Sequence, residues 1–234
     1  MEIQTAQKAR KLLLIGLLGA VLTLIGDLLI GYVKFPEGAG MLEGYFAAAL
    51  VLPIWRPVLG GIIGFLGISL EFCGLMALYP LLKKNMPRGA AFYKLSMYIY
   101  LAVAGGAVHL PCGVFMWLYH SVADAAGQTI GYNIALQYVL YFILPVTVVF
   151  YVFFAGSSIV QFIGIVKGYT PLPKWYAFFN LLILSMLFNG LRRIGNDATV
   201  NGIGTSNKSL GAILLFIALY IGFGKYVKQE NLLE

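Results

Sequence analysis

Three ionisable residues, Asp27, Glu71 and His109, lie inside long apolar stretches of this sequence. A charged side chain in the centre of a membrane costs about 2.5–3.5 kcal/mol on insertion scales, so such residues are rare and are functional candidates by default. Two carboxyl groups and an imidazole could act together as general acid and base. We therefore predict a catalytic or proton-relay group in which Glu71 is the base, His109 is its proton partner and Asp27 is the third member.

All three residues lie on faces rich in small side chains when each stretch is treated as a helix with 100° per residue. Small residues mark the places where membrane helices approach each other most closely, so we expect the three groups to converge inside the bundle. The three stripes are Gly16, Thr23 and Asp27; Gly60, Gly64, Gly67, Glu71 and Gly74; and Gly106, His109, Gly113 and Met116.

The expected depths of these groups form a descending series. At 1.5 Å per residue, Asp27 lies ~9 Å, His109 ~15 Å and Glu71 ~20 Å below the outer ends of their spans. This series predicts a polar pocket that opens outwards. Two pairings that would offset the cost of burial remain open: Glu71 with His109, and Asp27 with Arg192.

Further polar and aromatic residues near the expected mouth of the pocket are candidate ligand contacts. They are Arg192, Asn189, Cys112, Tyr138 and Gln137. His109 and Cys112, one turn apart, are also a weaker candidate for a cysteine-protease dyad. Two histidines and two distant carboxylates fall short of a zinc set, so we expect no metal and no cofactor.

The polar segment 195–209 begins like a calcium-binding loop at Asp197, Thr199, Asn201 and Gly202. The twelfth position of such a loop requires a bidentate Glu, but it is Lys208 here, so calcium is rejected. Two interpretations of the segment remain: an Asn/Gly turn, or a polar lid over the pocket.

Composition defines the class of protein that must position these groups. The chain has 234 residues, 60% hydrophobic and 11% charged, whereas soluble domains are about 45–50% apolar and about 25% charged. A soluble fold of this size could not bury the excess, which must face lipid. The sequence predicts one all-α integral membrane domain over 1–234, with spans at 12–33, 58–82, 95–119, 138–166, 174–191 and 209–227.

Two regions depart from a simple pattern of helical hairpins. The apolar stretch Met41–Leu52 is too short to span and predicts an interfacial or re-entrant helix. The stretch Ile130–Lys167 is too long for one span, so we expect a kink at Pro145 and a part before Tyr138 along the outer surface. Seven spans are the main alternative to six.

The distribution of the 16 Lys and Arg residues predicts orientation. Most lie in the N-terminal tail, the 83–94 loop, the 167–174 turn and the C-terminal end, which places both termini in the cytoplasm. The net charge of +7 is therefore a topology signal. We expect membrane lipids and a small amphiphilic ligand as partners, and no nucleic acid.

Four short motifs resemble an uncharacterised family of short multi-span bacterial membrane proteins. The motifs are G-D-L-L at 26–29, the G-x-x-x-G-x-x-G-x-x-x-E run that ends at Glu71, H-x-P-C at 109–112 and N-K-S-L-G at 207–211. The resemblance implies a bacterial inner membrane. It implies no activity, so no catalytic residue is transferred from it.

Three functions are compatible with these features. The first is binding, with acid–base conversion, of a small amphiphilic or lipid-like molecule in the predicted pocket. The second is proton-coupled transport of a small molecule, with the same three groups as a relay. The third is a structural or accessory membrane subunit.

Overall fold

A computed structural model describes residues 3–232, which form helices and connecting segments without a β-strand. Two π-helical segments, Tyr100–His109 and Val139–Ile143, and two 3-10 turns, Lys174–Phe178 and Leu191–Ile194, join some of the α-helices. The α-helices are α1 (Ile3–Gly31), α2 (Met41–Val51), α3 (Trp55–Met76), α4 (Tyr79–Asn85), α5 (Pro87–Ile99), α6 (Leu110–Ala126), α7 (Gln128–Tyr138), α8 (Leu144–Val166), α9 (Leu181–Gly190), α10 (Ala198–Thr205) and α11 (Asn207–Asn231).

Five continuous helical stretches are long and apolar enough to cross a membrane: Ile3–Gly31, Trp55–Asn85, Pro87–Ala126, Gln128–Val166 and Asn207–Asn231. They coincide with five of the six predicted spans, and the all-helical prediction is confirmed. We call the end of the bundle where α1 ends and α11 begins the upper end, and the opposite end the lower end.

The predicted span 174–191 is wrong as a single helix. The chain forms a 3-10 turn at Lys174–Phe178, becomes extended at Asn180 and only then begins the ten-residue α9. The Asn180 side chain accepts a hydrogen bond from the Leu182 backbone N–H at 3.0 Å and donates to the Ser158 carbonyl at 2.8 Å. A hydropathy profile does not detect the Asn180 N-cap, although it is where α9 begins among buried residues.

The predicted short helix after the first span is present as α2. The Gly40 N–H donates to the Glu43 carboxylate at 2.9 Å at its start. Its Phe46 ring packs edge-on against Phe115 and Tyr119 of α6. Helix α2 therefore belongs to a second apolar core at the upper end of the bundle.

Helices α6 and α7 form a hairpin around Gly127, whose φ of 93° is a left-handed conformation that favours glycine. Residues before Tyr138 thus pack against α6 at the upper end. The expected kink at Pro145 takes the form of the π-helical segment Val139–Ile143, which precedes it. The wider turn relieves the clash between a proline ring and the carbonyl one turn back.

Helix α1 makes its most extensive contact with α3. Three glycines of α1 lie directly against the α3 backbone: Gly16 against Gly74, Gly19 against Gly67, and Gly26 against Gly60. A Cβ atom added at any of the three α1 positions would lie under 3.0 Å from that backbone. The predicted small-residue stripes of α1 and α3 therefore form the central helix contact of the fold.

Gly67→Ala should lower the stability of the fold by about 1–3 kcal/mol, because the new methyl group meets the backbone of α1 and the helices cannot separate without losing other contacts. Gly106→Ala is the matched control, since the nearest atom to its added Cβ is the Phe65 ring at 3.9 Å. Unfolding in detergent micelles measures both variants. Equal stability of the two would contradict the tight packing of α1 against α3.

Candidate functional site

Asp27 and His109 meet between α1 and the first π-helical segment. The Nδ1 atom of His109 lies 3.5 Å from Oδ1 of Asp27, and the two side chains are 12% and 11% exposed. The Ser209 hydroxyl of α11 donates to Oδ2 of Asp27 at 2.7 Å. The Nε2 atom of His109 lies 3.3 Å from the Gly60 carbonyl oxygen of α3.

Both ring nitrogens of His109 therefore face oxygen acceptors. A neutral imidazole has a single N–H and can donate to only one of them, whereas an imidazolium donates to both. The Gly64 position leaves the space that the ring fills, because a Cβ added there would overlap the His109 ring. The site thus places an imidazole ring beside a carboxyl group.

Glu71 forms a second and more enclosed polar contact. Its side chain is 1% exposed, and its Oε2 atom accepts a hydrogen bond from the Tyr100 hydroxyl at 2.5 Å. Its Oε1 atom is buried, and the Thr23 hydroxyl of α1, which donates to the Gly19 carbonyl at 3.1 Å, lies close to the carboxyl group. A buried carboxyl oxygen can accept a proton or a hydrogen bond.

The π-helical segment explains how one helix reaches both carboxyl groups. Tyr100 is its first residue and His109 its last. In an α-helix of 3.6 residues per turn, two residues nine apart point in opposite directions. With i→i+5 bonding and about 4.4 residues per turn, the same two residues lie on nearly the same face.

The sequence offers a physical reason for this wider turn. Pro111 has no backbone N–H, and its ring would clash with the carbonyl one α-helical turn earlier. The structure avoids the clash, and the Leu110 N–H donates to the Gly105 carbonyl, five residues back. Pro111 thus follows the π-helical segment that brings Tyr100 and His109 onto nearly the same face.

Neither of the two predicted pairings occurs. Asp27 pairs with His109 and Glu71 with Tyr100. The predicted depth series also changes, because Asp27 and His109 lie at the same level. Glu71 lies about two turns below, where its backbone meets Gly19. The depth estimate assumed α-helical rise throughout and a common starting level for all spans.

Arg192 lies at the upper end, away from Asp27. Its guanidinium donates to the Thr205 hydroxyl at 3.2 Å and to the Tyr45 hydroxyl at 3.5 Å, while the two hydroxyls are 2.7 Å apart. Burial raises the pKa of Tyr45, so this hydroxyl stays protonated at neutral pH. The contacts of Arg192 join the end of α9 to α2 and α10.

The remaining predicted ligand contacts do not form one cluster. Asn189 and Gln137 are exposed, whereas Cys112 and Tyr138 are half-buried. Cys112 lies within electrostatic range of Asp27 and of Tyr138. Because both His109 nitrogens face Asp27 and Gly60, the contacts of the ring offer no support for a His109–Cys112 dyad.

The segment 195–209 is not a simple turn. Asp197 caps α10 by accepting hydrogen bonds from the Thr199 and Val200 N–H groups at 2.8 and 3.0 Å. The Asn201 amide donates to the Val33 carbonyl at 3.0 Å, and Thr205 packs on Gly31. Helix α10 thus covers the upper end of α1, one turn beyond Asp27, and this cover replaces the expected open funnel.

Two cavities lie outside the Asp27–His109 contact. A cavity of about 10 Å³ lies beside Tyr100 and is also lined by Ser157, Ser158 and Gln161; this volume suits about one water molecule. A groove of about 660 Å³ lies at the upper end between Lys34, Glu37 and Val51. Among residues 3–232, no group of three or more His, Cys, Asp or Glu residues could hold a metal ion.

Two residues of the site were missed by sequence reasoning. Tyr100 falls on the wrong face at α-helical periodicity, and only the π-helical segment brings it to Glu71. Ser209 lies in the N-K-S-L-G motif, but that motif carries no signal that α11 meets Asp27. Partners from distant helices have no fixed sequence spacing, so a periodicity argument cannot find them.

Fold and site together define an all-helical chain with five helices of membrane-spanning length and a buried group of ionisable side chains. A family model described as "Family of unknown function (DUF6796)" matches residues 1–226, and the chain belongs to this family. The prediction of an uncharacterised family is confirmed. Neither the curated proteins nor the solved structures contain a match to the chain.

Tyr100→Phe should destabilise the protein by about 1–3 kcal/mol, because it removes the hydrogen bond that Oε2 of Glu71 accepts in a buried place. Tyr98→Phe makes the same chemical change on a tyrosine that is 49% exposed and should be nearly neutral. Unfolding in mixed micelles gives both values. If Tyr98→Phe costs as much as Tyr100→Phe, the contact with Glu71 is not what stabilises this region.

Proposed function

We propose that this protein is a multi-pass membrane protein that binds a small amphiphilic molecule beside Asp27 and His109 and exchanges a proton with it. The membrane setting is supported by the five apolar helical stretches, each of which contains an 18-residue window with a mean hydropathy of 1.7 to 2.5. It is also supported by the large apolar side chains on their surfaces, such as Tyr141, Val148 and Val152, which are 71%, 57% and 62% exposed. Such an apolar surface is typical of contact with lipid.

The position of His109 between two acceptors carries the proposal. A proton on this ring is held by Asp27 on one side and by the Gly60 carbonyl on the other. A ligand that takes or supplies this proton changes the hydrogen bonds of α1, α3 and α11 at once. The pair also keeps about a tenth of its side-chain surface exposed, whereas Glu71 is enclosed.

This difference assigns different roles to the two carboxyl groups. Asp27 and His109 are the groups that touch the ligand and transfer its proton. Glu71, the predicted base, lies deeper in the bundle, accepts a hydrogen bond from the Tyr100 hydroxyl and serves as a proton acceptor behind the pair.

Proton-coupled transport is the second candidate function, and the interrupted helix favours it. Helix α9 begins at the buried Asn180, and the Gln161 amide donates to the Phe179 carbonyl at 3.1 Å in the same break. Gln161 also lines the cavity beside Tyr100. Broken helices whose ends lie inside the bundle are a frequent feature of transporter binding sites.

We further propose that the chain lies in a bacterial cytoplasmic membrane with the upper end outside and both termini in the cytoplasm. The basic residues of the lower end support this orientation through the positive-inside rule. Among them, Arg10 stacks on the Tyr220 ring at 4.3 Å, a contact between the two terminal helices.

Cysteine labelling in intact cells tests the orientation. In a chain with Cys73→Ala and Cys112→Ala, a membrane-impermeant maleimide should label Glu37→Cys at the upper end. It should label Lys84→Cys at the lower end only after the cells are permeabilised. Both positions are exposed, but Glu37 lies in the connection between α1 and α2 at the upper end, whereas Lys84 lies in α4 at the lower end. The reverse pattern would overturn the orientation.

Asp27→Asn should abolish binding of the amphiphile, because Asn cannot hold the proton or the charge that the ligand meets. The purified chain is incubated with an organic extract of its host membranes, and native mass spectrometry detects the bound molecule. Asp124→Asn is the matched control, since that carboxylate is 74% exposed on α6. Wild-type protein and Asp124→Asn should retain an adduct. The amount of adduct on Asp27→Asn should be at least about tenfold lower.

Failure of the wild-type chain to retain any adduct would contradict the proposal. An adduct that survives Asp27→Asn together with a loss of stability would leave only a structural role for the site.

Glu71→Gln separates the two candidate functions. Retained binding without conversion of the bound molecule indicates an enzyme. Uptake into proteoliposomes that no longer responds to a pH gradient indicates a transporter.

A further inference from the structure

We propose that the amphiphile bound at the Asp27 site is a lipophilic organic cation, and that the ammonium group of Lys208 occupies its place in the unliganded protein. This inference rests on the proposed binding function and specifies the charge of the ligand. Three features support it: an aromatic site that holds an ammonium ion, the two carboxyl groups connected to it, and lateral access along α8.

Lys208 lies in the first turn of α11, next to the Ser209 that donates to Asp27. Its Nζ atom lies 5.1 Å from the centroid of the Tyr151 ring and 5.8 Å from that of the Phe150 ring. Both distances are within the range of about 6 Å in which a cation is attracted to an aromatic face. Two adjacent rings of α8 thus bind an ammonium ion that arrives from α11.

Both carboxyl groups of the site are connected to this aromatic pair. The Ser209 hydroxyl, next to Lys208, donates to Oδ2 of Asp27, and the charge of Lys208 acts on Asp27 and His109, although Lys208 forms no direct ion pair within residues 3–232. The Phe150 ring packs 6.0 Å from the ring of Tyr100, the residue that donates to Glu71. A cation at this place is therefore attracted by Asp27 and by two aromatic faces. An anion finds no guanidinium or ammonium group to attract it once Lys208 is displaced.

The lysine is suited to be displaced. Its ammonium group is attached to a flexible four-carbon chain, and it is held here by ring faces rather than by a carboxylate. A tethered cation of this kind competes with a cationic ligand and keeps the acidic site neutralised when no ligand is present. The same charge disfavours a second cation, so removal of the charge should strengthen cation binding.

Access to the aromatic pair is lateral. Helix α10 covers the upper end of α1, but the stretch Gln128–Val166 that contains α8 is the least buried of the five apolar stretches, with 17% of its most apolar window inside the fold. Phe150 is buried, and Tyr151 beside it is 47% exposed. A cation with apolar groups partitions into the bilayer and reaches Tyr151 from that side.

Tetraphenylphosphonium and tetraphenylborate test the inference, because they have nearly the same size and opposite charge. Calorimetric titration of the full chain in detergent should show binding of tetraphenylphosphonium and at least about tenfold weaker binding of tetraphenylborate. Lys208→Gln should strengthen tetraphenylphosphonium binding by about tenfold, and Lys208→Arg should leave it unchanged. Lys225→Gln, on the lower part of α11, is the control for loss of a lysine and should have no effect.

Equal binding of the two ions, or weaker tetraphenylphosphonium binding in Lys208→Gln, would overturn the inference. Unfolding of each variant is measured in the same detergent, so that a misfolded chain is not taken for a loss of affinity, and Lys208→Arg keeps the test decisive if Lys208→Gln is unstable. Asp27-dependent capture of an uncharged or anionic membrane molecule would retain the proposed function and reject the cation. Failure of both ions and of the membrane extract would reject both.

Discussion

The fold depends on the close approach of α1 and α3. Gly16, Gly19 and Gly26 present no side chain to α3, so the two backbones lie in direct contact and dispersion forces act over the whole length of the interface. Asp27 follows Gly26 directly, and Glu71 lies against Gly19. The contact that holds the bundle together is therefore also the contact that brings two carboxyl groups into its interior.

A second local feature, the combination of Gly64 and the first π-helical segment, shapes the space beside this contact. The glycine at position 64 leaves room for the His109 ring, and the π-helical segment before Pro111 turns both His109 and Tyr100 towards α1 and α3. An α-helix with the same sequence would place only one of them there. The cost of ten residues with wider turns is offset in part by the hydrogen bond that Tyr100 donates to Glu71 and by the approach of His109 to Asp27.

The polar groups of the protein are hydrogen-bonded to different degrees. At the upper end, the Arg56 guanidinium donates to the carbonyls of Leu28, Leu29 and Tyr32, and the Leu28 carbonyl also accepts from the Tyr32 N–H at 3.0 Å. These contacts close the end of α1. At the site, Tyr100 donates to Oε2 of Glu71, and both ring nitrogens of His109 face oxygen acceptors.

Much of the fold follows from composition and hydropathy. Five of the six apolar segments are the long helices, and the twelve-residue stretch that is too short to span is the short helix α2. The sixth segment shows the limit of that reasoning, because hydropathy measures apolar content and not backbone continuity. Asn180 ends one turn and caps the next helix in the middle of an apolar segment, supported by Ser158 of a different helix.

The sequence by itself determined which groups are buried and which helical faces they share, because the cost of burying charge restricts Asp27, Glu71 and His109 to faces lined by glycine. It left their partners open. Only the tertiary structure decided that Asp27 meets His109 and Ser209, that Glu71 meets Tyr100, and that Lys208 lies over Phe150 and Tyr151. The physical reason is that these partners come from different helices, and their meeting depends on the relative rotation and height of each helix, which local periodicity does not encode.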